Sequence, residues 1–466
     1  MKKRRHNTTR RIAAWIAKIR LRDIPGPVLR CAKEHLLDGF ATMVAGSDEE
    51  ASRQIDRHLR NLGGKPEATV VGTQIKAPAQ HAALANGIRG HVLDYDDTQL
   101  ATLRTRPFGQ LTHPTTPVLA AAAALAEKIR ASGAELLSAY TVGIEIACRL
   151  ADAVEPRHYL HGFHPTGTLG TFGAAAACAH LLKLDPHRIT AALGIAGSLA
   201  AGVRAQRGTM AKALNAGRAA ENGVMAATLA QNGFTATADV FDDSMGYFSA
   251  ACYGEVNRKL IELGRPFFFS DPGVGIKFYP CAVVMHPALD GLIELVRRHD
   301  LQPSQVKSVR VRLGCDAGLP LVYDRPRTGL EGKFSLPFSA ALALMQRKAA
   351  LHDYTDEQVQ NPKIIKIMKR VESVRTPELK SIGNLGAPAK IEVITKEGRR
   401  YLQHATLAKG HPQKPLSRAE LDDKFFQCAR GRLSRMRAEK LISVLYQLEK
   451  VRSMSEVLRL LSSPRR

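Results

Sequence analysis

The segment His91–Thr98 places an imidazole, carboxylates and a hydroxyl inside a region that is otherwise rich in alanine, leucine and valine. On a helix, His91, Asp94 and Thr98 would share one face, because they are three and four residues apart. Burying unpaired carboxylates is costly. The segment therefore predicts the wall of an active site, and a solvated acidic helix end is the alternative.

Three His-Pro pairs stand at predicted helix starts: His113-Pro114, His164-Pro165 and His286-Pro287. An imidazole at a helix N-terminus can face an anion together with free backbone N–H groups. One such pair is usually only a cap. Three in one chain favour a shared anion site.

Two lysines lie among small and apolar residues. Lys212 stands in a nearly neutral stretch, and Lys277 stands in Gly275–Cys281. In each case, either the apolar part of the side chain is buried while the ammonium group extends to solvent, or the ammonium group pairs with a carboxylate. Arg218, in the same helical neighbourhood as Lys212, is a candidate second carboxylate anchor, because guanidinium groups bind carboxylates in a bidentate manner.

The elements that position these residues are predicted from the spacing of apolar residues, which is helical from about Thr9 to Gly254. The apolar spacing predicts helices over 28–44, 116–129, 134–150, 170–182 and 188–201, and one short strand over 68–72. Gly167, Gly170 and Gly173 lack the spacing and the preceding strand of a dinucleotide site. They predict a helix that packs unusually close to a neighbour.

The pattern changes near residue 271. Alternation predicts strands over 306–313, 389–395 and 400–407, with a helix over 338–347, and the chain is helical again from Ser417. The predicted fold is mainly α: a helical domain (1–270), a smaller α+β lid domain (271–410), and C-terminal helices (411–466) that pack back on the first domain.

The chain has 466 residues and a net charge of +24, much of it near the two ends. No nucleic-acid-binding motif accompanies the charge, so we expect a positive field that favours an acidic substrate, and no specific nucleic acid. The seven cysteines stand singly, which indicates a reduced, cytoplasmic protein. No apolar run is long enough to span a membrane.

These blocks, in this order and spacing, resemble the MmgE/PrpD family from about Thr8 to about residue 450. The matching blocks are His91–Thr98, His113-Pro114, Gly162–Gly173, Gly208–Glu221 and Lys277–Asp290. The family includes 2-methylcitrate dehydratase, cis-aconitate decarboxylase and iminodisuccinate epimerase. The resemblance implies a homodimer, a small di- or tricarboxylate substrate, and catalysis with neither a metal nor an organic cofactor.

Carried over by position, the resemblance implies catalytic roles for His113, His164, Lys212 and Asp94, and substrate-binding roles for Thr98 and Lys277. His286 would be a further neighbour of the substrate. Asn215 and Phe338 depart from the family's frequent His and Tyr, and Ala282 stands where many relatives are more polar.

The predicted function is a lyase that eliminates water from a 2-methylcitrate-like substrate, with histidines moving protons and lysines holding carboxylates. Decarboxylation of the cis-aconitate type and epimerisation of the iminodisuccinate type are the alternatives within the family. Two readings of other classes stay open: a magnesium-dependent helical enzyme that uses Asp94, Asp96 and Asp97, and a non-catalytic protein whose basic ends bind a partner.

Overall fold

The computed structural model of the protein describes residues 7–99, 112–154, 157–314, 321–376, 379 and 388–462. Helices dominate its first part. They are α1 (Thr8–Lys18), α2 (Gly26–Ala45), α3 (Glu50–Leu62), α4 (Ala79–Val92), α5 (Thr115–Lys128), α6 (Gly133–Val154), α7 (Arg157–Leu160), α8 (Pro165–Leu181), α9 (Pro186–Leu199), α10 (Met210–Gln231) and α11 (Tyr247–Cys252). All five helices predicted in this part are confirmed, with ends that differ by a few residues.

Among the described residues of the first part, three two-residue strands interrupt the helices: β1 (Ala68–Thr69), β2 (Lys76–Ala77) and β3 (Thr98–Gln99). The predicted strand over 68–72 is thus shorter than expected, because its antiparallel pairing with β2 covers only two positions.

The second part begins with β4 (Val274–Gly275), which pairs antiparallel with β3. It continues with α12 (His286–Arg298), β5 (Val306–Leu313), α13 (Gly329–Gly332), α14 (Leu336–Gln346), α15 (Asp356–Gln360), α16 (Pro362–Met368), β6 (Val371–Arg375), β7 (Ala389–Thr395) and β8 (Arg400–Ala405). The long strands form one sheet in the order β6-β5-β7-β8, in which only the β5–β6 pair is parallel. The chain ends in α17 (Arg418–Ala429), α18 (Arg435–Tyr446) and α19 (Met454–Leu461).

Buried apolar side chains form two cores. The first core joins the helices of the first part to α17, α18 and α19, and the second lies between the sheet and its helices, from Tyr279 to Ala408. The mainly α fold with a smaller α+β part is confirmed. The division at 270 and 410 stays a proposal, which the two cores support.

Small residues let the central helices approach one another closely. A Cβ added at Gly87 of α4 would lie 2.7 Å from the Cα of Gly217 on α10, and one added at Gly173 of α8 would lie 2.6 Å from Ala147. The predicted close packing of the glycine-rich helix is confirmed. The α4–α10 approach also brings the C-terminal end of α4 beside the N-terminal end of α10.

The prediction that His91, Asp94 and Thr98 share a helix face is wrong. Helix α4 ends at Val92, Asp94 has a left-handed backbone with φ of +51°, and Thr98 lies in β3. The chain leaves the helix because Asp94 adopts a conformation that Asp tolerates better than most residues.

Other predictions concern the chain ends, the cysteines and membrane spans. Residues 1–6 and 463–466, which carry part of the predicted basic ends, lie outside the described residues. Six cysteines are described, and all six are free thiols. Within the described ranges, none of the helices has the length and apolar character needed to cross a membrane.

Candidate active site

Asp94 lies between two lysines that come from distant parts of the chain. Its Oδ1 is 2.7 Å from the Nζ of Lys212, and its Oδ2 is 2.8 Å from the Nζ of Lys277. Lys277 also donates to the main-chain carbonyl of Asp94, at 2.9 Å. Burial alone would raise the pKa of Asp94, but the two ammonium groups outweigh it and hold that pKa well below its usual range. The carboxylate therefore stays ionised and holds both lysines in place.

His91 extends this arrangement behind Lys212. The Lys212 ammonium donates to the Nε2 of His91 at 2.9 Å, and the Nδ1 of His91 donates to Asp96 at 2.8 Å. Burial, followed by the nearby Lys212, lowers the pKa of His91 well below its usual value. The ring is therefore neutral, and its partners place its proton on Nδ1.

His113 is the residue before Pro114, at the start of α5. Its Nδ1 lies 2.7 Å from the main-chain oxygen of Asp97, and its backbone N–H donates to Thr166. A carbonyl only accepts, so Nδ1 carries the proton and Nε2 is left as an acceptor. Burial lowers the pKa of His113 well below its usual value, although Asp96 opposes the shift.

His164, the residue before helix α8, has the opposite tautomer. Its Nδ1 is 3.1 Å from the amide nitrogen of Asn215, which donates to it. The neutral imidazole therefore carries its proton on Nε2. Burial, and then the charge of Lys212, lowers the pKa of His164 well below its usual value. The two histidines thus offer different groups, an acceptor on His113 and a donor on His164.

All four predicted catalytic residues and Lys277 line a single cavity. Its volume is about 40 Å³, which is room for roughly three water molecules. The remaining lining residues are Tyr159, Arg204, Arg207, Ala282, Val283 and Phe334. Tyr159 and Lys212 come from the first part of the fold and Val283 and Phe334 from the second, so the cavity lies between the two parts.

Lys424 of α17 supports the site from behind. Its buried Nζ lies 2.6 Å from Asp38 and donates to the carbonyls of Tyr95 and Lys277, at 3.0 and 2.7 Å. Burial raises the pKa of Asp38 to about 6, although Lys424 lowers it. One buried cation thus fixes the backbone next to both Asp94 and Lys277.

Asp97 supports His113 in a similar way. Its side chain accepts from His35 at 2.8 Å and from the backbone N–H of Thr115 at 3.1 Å, while its carbonyl holds the His113 ring. Burial would lower the pKa of His35, but Cys31 and Asp97 raise it to about 10. His35 is therefore protonated, and it anchors the loop that orients His113.

Three predicted substrate-binding residues do not line the cavity. Thr98 is buried in β3, with its hydroxyl unpartnered among the described residues. His286 is fully buried beside the cavity wall, where its Nε2 donates to the carbonyl of Cys281 at 3.2 Å. Arg218 points away, because its half-exposed side chain pairs with Glu221 one turn further along α10. Of the three His-Pro pairs that were predicted to form a shared anion site, those of His113 and His164 therefore lie at the cavity, and that of His286 does not.

The acidic cluster does not have the arrangement expected of a magnesium site. Asp94 is held by two lysines, Asp96 accepts from His91 and Thr116, and Asp97 accepts from His35 and Thr115. His91, Asp96 and His113 do bring ligand atoms within 4.8 Å of one another. However, His91 and Asp96 already share a hydrogen bond, and the Lys212 ammonium bound to His91 disfavours a second cation there.

Sequence reasoning missed the arginines of the cavity. Arg204 and Arg207 belong to the loop before α10, and we placed the second carboxylate anchor at Arg218 instead. The sequence feature that could have identified them is the pair of arginines a few residues before Lys212.

Three residues were noted in the sequence as departures from the family pattern. Asn215 contacts His164, Ala282 lines the cavity, and Phe338 is buried in the second core against Tyr354.

Comparison with known proteins covers almost the whole chain. The family model of the MmgE/PrpD N-terminal domain matches residues 10–259, and that of the MmgE/PrpD C-terminal domain matches residues 279–450. The cis-aconitate decarboxylases of Mus musculus and Homo sapiens are each 27% identical, over 98% of this chain and 94% and 95% of their own lengths. A cis-aconitate decarboxylase of Aspergillus terreus is 24% identical, over 98% of this chain and 96% of its own. The chain belongs to the MmgE/PrpD family.

Proposed function

We propose that the protein is a lyase that removes carbon dioxide from a small polycarboxylate of the cis-aconitate type. The observation that carries the proposal is the cavity in which two neutral imidazoles of opposite tautomer face two lysines fixed by Asp94. The relatives named as cis-aconitate decarboxylases support decarboxylation over the elimination that we predicted from the sequence.

Decarboxylation of cis-aconitate breaks the bond between a methylene carbon and its carboxylate. The released electron pair forms a new double bond, and the far carbon of the old double bond takes up a proton. Lys212 and Lys277 would stabilise the negative charge that develops on the remaining carboxylates. A proton donor must then deliver a proton to the far carbon of the old double bond.

His113 is the better proton carrier of the two histidines in the cavity. Its Nε2 accepts no hydrogen bond from the residues that the structure describes, and a bound polyanion would raise its pKa by charge attraction, so that it gains a proton to deliver. His164 keeps a proton on Nε2 and would donate a hydrogen bond to a carboxylate. His91 and Asp96 would hold Lys212 in its charged, oriented state.

Substrate entry requires the walls of the cavity to separate. A cavity of about 40 Å³ holds a few waters and excludes a tricarboxylate. The lining residues come from both parts of the fold, so a movement of the second part, carrying Lys277 and Phe334, would open it. Closure would then exclude water during the reaction.

The proposal is tested by incubating the purified protein with cis-aconitate in heavy water and following proton NMR spectra. We expect carbon dioxide release and a product with one deuterium at the newly protonated carbon, also in the presence of a strong chelator. H113Q and K212M should be folded but inactive. Turnover of 2-methylcitrate with loss of water, or deuterium exchange without net conversion, would instead favour the elimination or the epimerisation.

A further inference from the structure

Arg207 lines the cavity and carries a buried guanidinium nitrogen. The residue follows the short 3-10 helix Arg204–Gln206, and its side chain lines the cavity together with Lys212 and Lys277. Its Nη1 is inaccessible to solvent and lacks a hydrogen-bond partner among the described residues. A buried cationic donor without a partner is costly, so this nitrogen is suited to a ligand.

Arg204 differs from Arg207 because the protein itself holds it. Its Nη1 donates to the carbonyl of Tyr159 at 2.6 Å, and its Cζ lies 3.3 Å from the centre of the Tyr159 ring. Arg204 is thus fixed against one wall. In Arg207, by contrast, Nη1 has no hydrogen-bond partner within the described part of the chain.

The backbone after Arg207 is fixed by a tight turn. Gly208 has a φ of +78°, and a Cβ added there would lie 2.5 Å from the Tyr323 hydroxyl. A side chain at position 208 would therefore displace the turn. The turn that directly follows Arg207 therefore requires glycine.

The charges of the lining residues are unbalanced. Lys212, Lys277, Arg204 and Arg207 are cations, whereas Asp94 is the one carboxylate among the described lining residues, which leaves a net charge of plus three. The lysines share Asp94, and the two lining histidines are neutral. The excess positive charge therefore lies on the side of the arginines.

We propose that Arg207 binds a substrate carboxylate remote from the reacting carbon, through the bidentate contact that guanidinium and carboxylate groups favour. This inference rests on the proposed function and deepens it, because it assigns a binding role to a residue outside the proton-moving group. Arg207 then determines specificity. The lysines and His164 bind the other carboxylates of the substrate, and Arg207 favours substrates that carry one additional carboxylate.

The test measures the binding of two non-reactive probes by calorimetry. Propane-1,2,3-tricarboxylate carries the additional carboxylate, and glutarate has the same chain without it. We expect R207Q to weaken binding of the tricarboxylate about tenfold or more and to leave glutarate binding within about twofold, as expected for the loss of one charged hydrogen-bonded contact. R207K should restore part of the loss, because it keeps the charge but not the planar fork.

R188Q is the matched control, since Arg188 is an exposed arginine on α9 that pairs with Asp185. It should bind both probes as the native protein does, and thermal unfolding should show that R207Q is folded. Equal tricarboxylate binding by native protein and R207Q would overturn the role of Arg207 while leaving the proposed function intact. If neither probe binds a native protein that decarboxylates cis-aconitate, the inference fails and the proposed function stands, whereas the absence of that turnover overturns the proposed function.

Discussion

Lys277 donates to both the carboxylate and the main-chain carbonyl of Asp94, at 2.8 and 2.9 Å, although 183 positions separate the two residues in the chain. Lys277 follows β4 near the start of the second part of the fold, and Asp94 follows helix α4 of the first. The contact therefore ties the two parts together at the cavity. A separation of the parts that carries Lys277 away from Asp94 would stretch or break this ion pair.

The substitution D94N should damage both activity and stability. Without the carboxylate, the ammonium groups of Lys212 and Lys277 lie close together and uncompensated. We expect kcat to fall by at least about 100-fold and the free energy of unfolding to fall by about 3–5 kcal/mol, as for other buried ion pairs that lose one partner.

Steady-state kinetics and urea unfolding of D94N measure the two effects. The double variant D94N/K212M should recover part of the lost stability, because it removes one of the two repelling charges. Near-native kcat in folded D94N would contradict a role for Asp94 in holding the lysines.

The long, regular elements could be predicted from the sequence because each has a clear apolar period. Strands β5 and β7 begin and end where alternation predicted, and helix α2 extends only slightly beyond its predicted span. The prediction of a lyase-type enzyme of the MmgE/PrpD family is confirmed at the level of the family by the matches to both domains.

The site was predicted less completely, because its geometry depends on irregular backbone and on partners distant in sequence. The left-handed turn at Asp94 breaks the helical spacing on which the predicted common face with Thr98 depended. Arg207 was missed because a loop, and not a helical period, carries it to the cavity. His91 was noticed at the start of the acidic segment, but its contact with Lys212 follows only from the close packing of α4 on α10.

The substitution N215D should change the tautomer of His164. The Asn215 amide donates to the Nδ1 of His164, whereas a carboxylate would accept from it and favour the protonated ring. We expect the pKa of His164 to rise from its lowered value and its neutral form to move the proton from Nε2 to Nδ1.

Nitrogen NMR of the labelled histidine ring measures both changes. N215A is the control, since it removes the amide without adding a charge, so the pKa should rise less than in N215D. An unchanged ring spectrum in N215D would show that Asn215 does not set the tautomer.

The substitution K424M should destabilise the protein and reduce activity. It leaves the Asp38 carboxylate buried without its cation and frees the carbonyls of Tyr95 and Lys277. We expect a loss of about 3–5 kcal/mol in the free energy of unfolding, together with a lower kcat, because Lys277 loses its support.

The double variant D38N/K424M should be more stable than K424M, because it replaces the uncompensated carboxylate by a neutral amide. Urea unfolding of the three proteins provides the comparison. If D38N/K424M is no more stable than K424M, the buried charge is not the cause of the loss.

Stability should fall as the pH is lowered below about 6.5, because several buried histidines resist protonation in the folded state. Burial lowers the pKa of His286 to about 3 and that of His158 to about 4, and it lowers those of His91, His113 and His164 well below 6.5. The unfolded chain binds these protons and the folded chain does not, so each group costs about 1.4 kcal/mol per pH unit until its folded pKa is reached. His35, with its pKa raised to about 10, contributes stability below 6.5 that is lost only as the pH rises toward 10.

The proton uptake on unfolding follows from urea unfolding curves measured between pH 7 and pH 5. The variant H286Q keeps a side-chain donor for the carbonyl of Cys281 but cannot titrate, so its uptake near pH 5 should be lower than that of the native protein by about one proton. Equal uptake by the two proteins would mean that His286 is already protonated in the folded state, against the burial and the nearby Lys277 charge that lower its pKa.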